Sequence, residues 1–184
     1  MEDCTPIQHR GVTLIELVCV IAIVAVIAAF AARGASAAIN AARASNSVSS
    51  LFAALTRARS FAATANVDVV LCPSTDGTSC APGYHWEGGW IAFPATHAGS
   101  DRTSDEPILV RQEALPPKVH LITSAGRTRV RFQPSGGNAG SNVTFTLCDG
   151  RGAKAASAYA MANNGNLHAT VIDPVYVAQA CAGL

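Results

Sequence analysis

Residues 12–32 form one apolar run that carries a single charge, Glu16. A helix of about 20 residues rises ~1.5 Å per residue and so covers a hydrocarbon core of ~30 Å. The run therefore predicts a membrane-spanning helix at the start of the chain. A fully buried core helix is the alternative, but a uniformly apolar one so early in a short chain is uncommon. A cleaved secretory signal is a second alternative. Residues 33–66 continue in helical character, which argues against removal at the end of the apolar run. His9 and Arg10 precede the run, and the positive-inside tendency places the start in the cytoplasm. Arg33 on the far side weakens that bias.

Glu16 is the anomaly in the run. A carboxylate near the bilayer centre costs about 2.5–3.5 kcal/mol on insertion scales, and less near an edge. Two readings stand from position alone: a side chain reaching the interface, or a charge awaiting a partner from another subunit.

Past the run, the chain reads as a soluble head. Charged residues are 14% of the whole chain and the formal net charge is +1, so any basic partner surface must be local. Cys4 lies in the leader and Cys19 in the apolar run; Cys72, Cys80, Cys148 and Cys181 lie in the head. Four cysteines permit three pairings. Cys72 and Cys80 flank a turn-rich loop that a Cys72–Cys80 disulfide would close, leaving Cys148–Cys181. Zinc ligands favour closer spacing than the seven residues between Cys72 and Cys80. Disulfides imply an oxidising compartment outside the cytoplasm.

Residues 33–66 predict an amphipathic helix: Val48, Leu51, Phe52, Leu55 and Ala62 recur at helical spacing. Gly34 would permit a bend there. Short strands follow, at 67–72, 90–93, 108–115, 119–123, 128–133 and 142–148, with a hairpin of 158–161 and 167–172 across Asn164-Gly165. Residues 95–107 read as a flexible loop. Helix first and strands after predicts an α+β head, a sheet curled against one long helix.

Catalytic patterns are scarce. His85, His97, His120 and His168 are scattered, and neither His-Glu-x-x-His nor Gly-x-Ser-x-Gly occurs. No cofactor, metal or catalysis is expected. Arg127, Arg129 and Arg131 alternate along one expected strand, so all three would share a face and offer DNA phosphates a stripe, with Arg151 and Lys154 nearby. The competing reading, which we favour, is the solvated face of a sheet.

Gly11-Val12-Thr13-Leu14-Ile15-Glu16-Leu17 resembles the class III signal of type IV pilins and pseudopilins. The segments Val69–Cys80, Gly89–Phe93, Phe132–Gly136 and Thr144–Gly152 are similar to the FimT/GspH group of minor pilins and pseudopilins. The resemblance covers most of the chain in order; residues 95–119 and the last fifteen fit it poorly. It implies a type IV pilin-like fold and a non-enzymatic subunit that helps assemble a type IV pilus or a type II secretion pseudopilus. Prepilin peptidase would cut after Gly11 and Val12 would be N-methylated, although the usual first mature residue is Phe. Glu16 would pair with the amine of a neighbouring pilin subunit as it leaves the inner-membrane lipid. The expected division is a leader at 1–11, a membrane helix at 12–32, an amphipathic half at 33–66 and a periplasmic head at 67–184.

Some FimT members bind DNA through Gly-Arg-x-Arg near the C-terminus. The matching place here is Gly165-Asn166-Leu167-His168, without either arginine; Gly126-Arg127-Thr128-Arg129 lies on an earlier strand. DNA uptake is therefore the alternative reading.

Overall fold

The computed structural model describes residues 12–96, 101–138, 140 and 142–184. The chain divides into two compact units, Met1–Ala38 and Ile39–Leu184. Helix α1 covers Leu14–Ala65. Thr13 opens it: its Oγ1 accepts from the Glu16 N–H at 3.3 Å. Thr13-Leu14-Ile15-Glu16 has the spacing of a capping box, and this is its forward bond. Asn66 closes the helix at φ 54°. Asparagine tolerates that left-handed turn, and the Val67 N–H then reaches back to the Ala62 carbonyl at 3.3 Å.

In the second unit α1 buries one stripe, Ala44, Ser47, Leu51, Ala54, Leu55, Ala58 and Ala62. Their spacing of three and four is the helical period. Most are alanines, so the helix backbone lies close to what it covers. Val48 packs at the margin of the same cluster, and Phe52 meets Tyr159 edge-on at 5.6 Å.

The strands form two four-stranded sheets, a correction to the single sheet expected from sequence. They are β1 Val69–Pro73, β2 Trp90–Pro94, β3 Val110–Gln112, β4 Val119–Thr123, β5 Val130–Phe132, β6 Val143–Asp149, β7 Ser157–Met161 and β8 Leu167–Ala169. The first sheet runs β3-β2-β1-β5 and the second β4-β6-β7-β8. Every pairing is antiparallel. Strands expected at 108–115, 128–133 and 167–172 are each shortened to three residues. All three sit at a sheet edge, where pairing on one side supports less regular structure.

Period-two alternation sorts the side chains. Val69, Leu71, Trp90, Ala92, Val130 and Phe132 from the first sheet share the main core with Val119, Leu121, Val143, Phe145, Leu147 and Met161 from the second. Trp86 packs between the two sheets, its ring 6.4 Å from that of Trp90 in the first. Its N–H donates to the Leu121 carbonyl at 2.8 Å and its ring meets Phe145 edge-on at 5.3 Å. Its buried Nε1 donates to Thr123 Oγ1 at 3.2 Å, which removes the cost of burying that donor. Gly89 enters β2 at φ +105°; a Cβ there would lie 2.3 Å from the Gln112 carbonyl oxygen. Only glycine permits that approach of β3.

The outer faces carry their own clusters. Val70, Cys72, Ile91 and Phe93 lie behind the first sheet, with Cys80, Ala95 and Ile108 against them. Ile122 and Cys148 lie behind the second, covered by helix α2, Pro174–Ala180, through Ala180 and Tyr176. Sequence reading missed α2. Its signal was local: Asp173 caps it by accepting from Val175 N–H at 2.8 Å, and Pro174 takes the first helical position.

Candidate functional site

Two regions hold the residues singled out in sequence. The first is the start of α1. Gly11 lies outside the described residues; Val12 and Thr13 precede the helix. Leu14, Ile15, Leu17, Val18, Ile21 and Val24 are each more than half exposed. Transfer of one such side chain out of water is worth about 1.5–3 kcal/mol, so this surface requires a lipid or protein environment. By length and composition the helix is able to cross a membrane. Glu16 stands on this exposed turn, with its backbone N–H capped by Thr13. Thr13 is the residue the sequence reading passed over, and the Thr-x-x-Glu spacing would have revealed it.

The second region is the head, where two disulfides close the outer faces of the sheets. Cys72–Cys80 staples the loop behind β1, across a sequence separation of 8. Cys148–Cys181 fastens α2 to β6, across a separation of 33. Asp76 organises the first loop: its carboxylate accepts from the Ser79 hydroxyl at 2.6 Å and from the N–H groups of Thr78 and Ser79. Those donors, the Ser79 hydroxyl first, hold its carboxyl well below the usual range.

Glu106 plays the corresponding part in the loop expected to be flexible. It is buried, and burial by itself raises its carboxyl. Donors from Thr103 and Thr96 outweigh that and bring it down to about 2. Arg102 spans from the Glu106 carbonyl to the Thr78 carbonyl, tying this loop to the disulfide loop. The described part of residues 95–107 is thus bonded in place, and the expectation of a flexible loop is corrected for it. His97 lies outside the described residues.

The arginine stripe does not form as expected. Only Arg131 lies on β5; Arg127 and Arg129 precede it in irregular chain. Arg131 pairs with Asp68 at 3.0 Å, and Arg129 with the exposed Asp101 at 2.8 Å. Arg129 also donates to the Ala81 carbonyl at 3.1 Å, and Arg127 is exposed in the turn after β4. The physical reason is that β5 is a three-residue edge strand, so alternation never extends to three arginines. Arg151 is held by Asp149, whose carboxyl is lowered first by the Arg151 side-chain hydrogen bonds, against burial. Lys154 sits in a 3-10 turn, Ala153–Ala155.

Among the described residues, His85 and His120 are engaged separately. His85 Nδ1 faces Glu87 Oε1 at 2.8 Å, and His120 Nδ1 faces the Ala180 carbonyl at 3.1 Å. Among the described residues, no three of His, Cys, Asp and Glu gather as metal ligands.

Comparisons with known proteins follow the same division. The family model described as Type II transport protein GspH matches residues 47–165, more than half of the chain. The model of the prokaryotic N-terminal methylation motif matches residues 8–32. Among curated proteins none matches. The crystal structure of the type IV minor pilin FimU of Pseudomonas aeruginosa shares the fold, with a TM-score of 0.55 at 14% identity, over 74% of this chain and 91% of FimU. The minor pseudopilin EpsH from the type 2 secretion system of Vibrio cholerae gives a TM-score of 0.49 at 14% identity, over 70% of this chain and 97% of EpsH.

Proposed function

Because this chain belongs to the family of type II transport protein GspH, we propose that it is a minor pilin or pseudopilin subunit, one that takes part in assembling a type IV pilus or a type II secretion pseudopilus. The observation that carries this reading is the presence on one chain of the GspH match at 47–165 and the methylation motif at 8–32. The subunit works by packing against other pilin or pseudopilin subunits and not by catalysis.

In this reading residues 1–11 are a leader that prepilin peptidase removes after Gly11, and the new amino group of Val12 is methylated. Residues 12–32 hold the subunit in the inner membrane, residues 33–66 continue the helix, and residues 67–184 form a periplasmic head. The exposed apolar side chains of α1 support storage in lipid and later burial among other helices. The paired cysteines support an oxidising compartment for the head. Glu16 is the residue that finds the amine of a neighbouring subunit. A carboxylate costly to leave unpaired in hydrocarbon gives direction to that docking.

The test is Glu16→Ala in cells that assemble the filament. Membrane insertion should persist while incorporation into filaments falls sharply. Unchanged incorporation would contradict the role given to Glu16.

A further inference from the structure

A groove of about 470 Å³ runs along α1 beside the turns that follow β5 and β7. Phe52 and Leu55 supply apolar wall, and Thr56 and Ser60 supply hydroxyls one turn apart. Arg59 sits among them and donates from Nη1 to Asn166 Oδ1 at 2.9 Å. The turn carrying Asn166 is pressed against its neighbour: a Cβ at Gly165 (φ +75°) would meet the Gly136 carbonyl oxygen at 2.7 Å and Arg59 Nε at 3.3 Å. Glycine at 165 therefore lets the two turns close around the guanidinium.

Arg59 is the arginine that lines this groove, and among the described residues it shares the lack of a carboxylate partner with Arg102, which bonds only to carbonyls. Arg129, Arg131 and Arg151 each face a carboxylate, at 2.8, 3.0 and 2.7 Å. Among the described residues Arg59 is bonded to the neutral Asn166 amide and to no carboxylate. A guanidinium presents five donors, and its strongest bonds are to carboxylates or phosphates. The groove wall from Phe52 to Ala63 is about 16 Å long at the α-helical rise. That equals about five residues of extended chain. A small inorganic anion would leave most of this wall, and its apolar part, unused.

We infer that this groove receives an extended acidic segment of a second protein subunit. Its Asp or Glu carboxylate sits on Arg59, and its flanking apolar side chains lie against Phe52 and Leu55. The inference rests on the assembly reading for the partner being another filament subunit. The binding itself is measurable without assembly.

The full-length protein in detergent micelles is titrated with two capped peptides, acetyl-Ala-Leu-Glu-Leu-Ala-amide and the same peptide with Gln in place of Glu. The NMR signal of the Asn166 side-chain amide is followed. The Glu peptide should shift that signal and bind at least about tenfold more tightly than the Gln peptide, the size of one charge-assisted contact. Arg59→Gln should abolish the difference. Ser60→Glu, a change on the exposed side of α1, should block the Glu peptide by placing a carboxylate beside Arg59, and it serves where Arg59→Gln fails to fold. Equal binding of the two peptides, or binding indifferent to both variants, overturns the inference. Displacement of the peptide by equimolar acetate or by a thymidine oligonucleotide overturns it too, since the site would then be one for simple anions or for nucleic-acid phosphates. None of these failures touches processing at Gly11, so the two readings fail separately.

Discussion

Asp149 holds Arg151 with both carboxylate oxygens, Oδ1 accepting from Nε at 2.9 Å and Oδ2 from Nη2 at 2.7 Å. Oδ1 also accepts from the Arg151 N–H at 2.9 Å, so one buried acid shapes the turn after β6. Asp149→Ala removes these acceptors and should cost about 1–3 kcal/mol of stability. Chemical denaturation of the full-length protein in micelles checks this. A midpoint unchanged from the parent would show that the turn holds without the acid.

The two disulfides should differ in worth. In the chain-entropy account the stabilisation grows with the loop closed. A separation of 33 for Cys148–Cys181 and of 8 for Cys72–Cys80 gives about 3.7 and about 2.5 kcal/mol. Paired Cys→Ser variants should therefore rank in that order in unfolding midpoint. The Cys148→Ser/Cys181→Ser variant should also free α2, seen as faster amide exchange at Ala180 and at the backbone N–H of position 181, which bonds to the Val177 carbonyl.

Acid should weaken the head through Glu106. Its folded carboxyl is lowered to about 2 from an ordinary value of 4.5. A depressed acid contributes stability above its unfolded pKa and loses it as pH falls through the folded one. Glu106 therefore contributes fully at neutral pH, and the loss develops from about pH 4.5 down to about pH 2. Asp76 and Asp149 are shifted in the same direction. Melting curves across this window should show Glu106→Gln with a shallower acid limb than the parent and lower stability at pH 7. An identical limb would remove Glu106 from the account.

The alanine stripe of α1 sets the distance between helix and sheets. Ala58 is fully buried, and Ala58→Leu forces extra methylenes into a filled contact. A loss of about 1–3 kcal/mol is expected. Ala53→Leu, on the exposed side of the same helix, should be near neutral and serves as the control.

Much of this was readable from sequence, for definable reasons. Apolar run length, helical recurrence at Leu51, Leu55 and Ala62, and the Asn164-Gly165 hairpin are local signals, and local physics kept them. Sorting of strands into two sheets was not readable, because it depends on pairings distant in sequence, such as β1 with β5 and β4 with β6. The arginine stripe failed for a related reason. Letters alternated at Arg127, Arg129 and Arg131, but pairing with β1 reaches only Val130–Phe132. Helix α2 and the Thr13 cap were readable and passed over; both follow from a capping residue at fixed spacing.

The fate of those arginines gives a further expectation. With Arg129 and Arg131 engaged by Asp101 and Asp68, the full-length protein should not retard duplex DNA in a salt-dependent way. Retardation that falls with salt and vanishes in Arg127→Ala/Arg129→Ala/Arg131→Ala would restore the DNA reading.

In the proposed function the chain enters a filament as a processed, membrane-held helix. Intact-mass and amino-terminal mass spectrometry of protein taken from the membranes of cells that make it tests this most directly. A chain beginning at Val12 and heavier by one methyl group on its amine is expected on this reading. A chain that keeps residues 1–11, or one cut beyond Ala32, would contradict it.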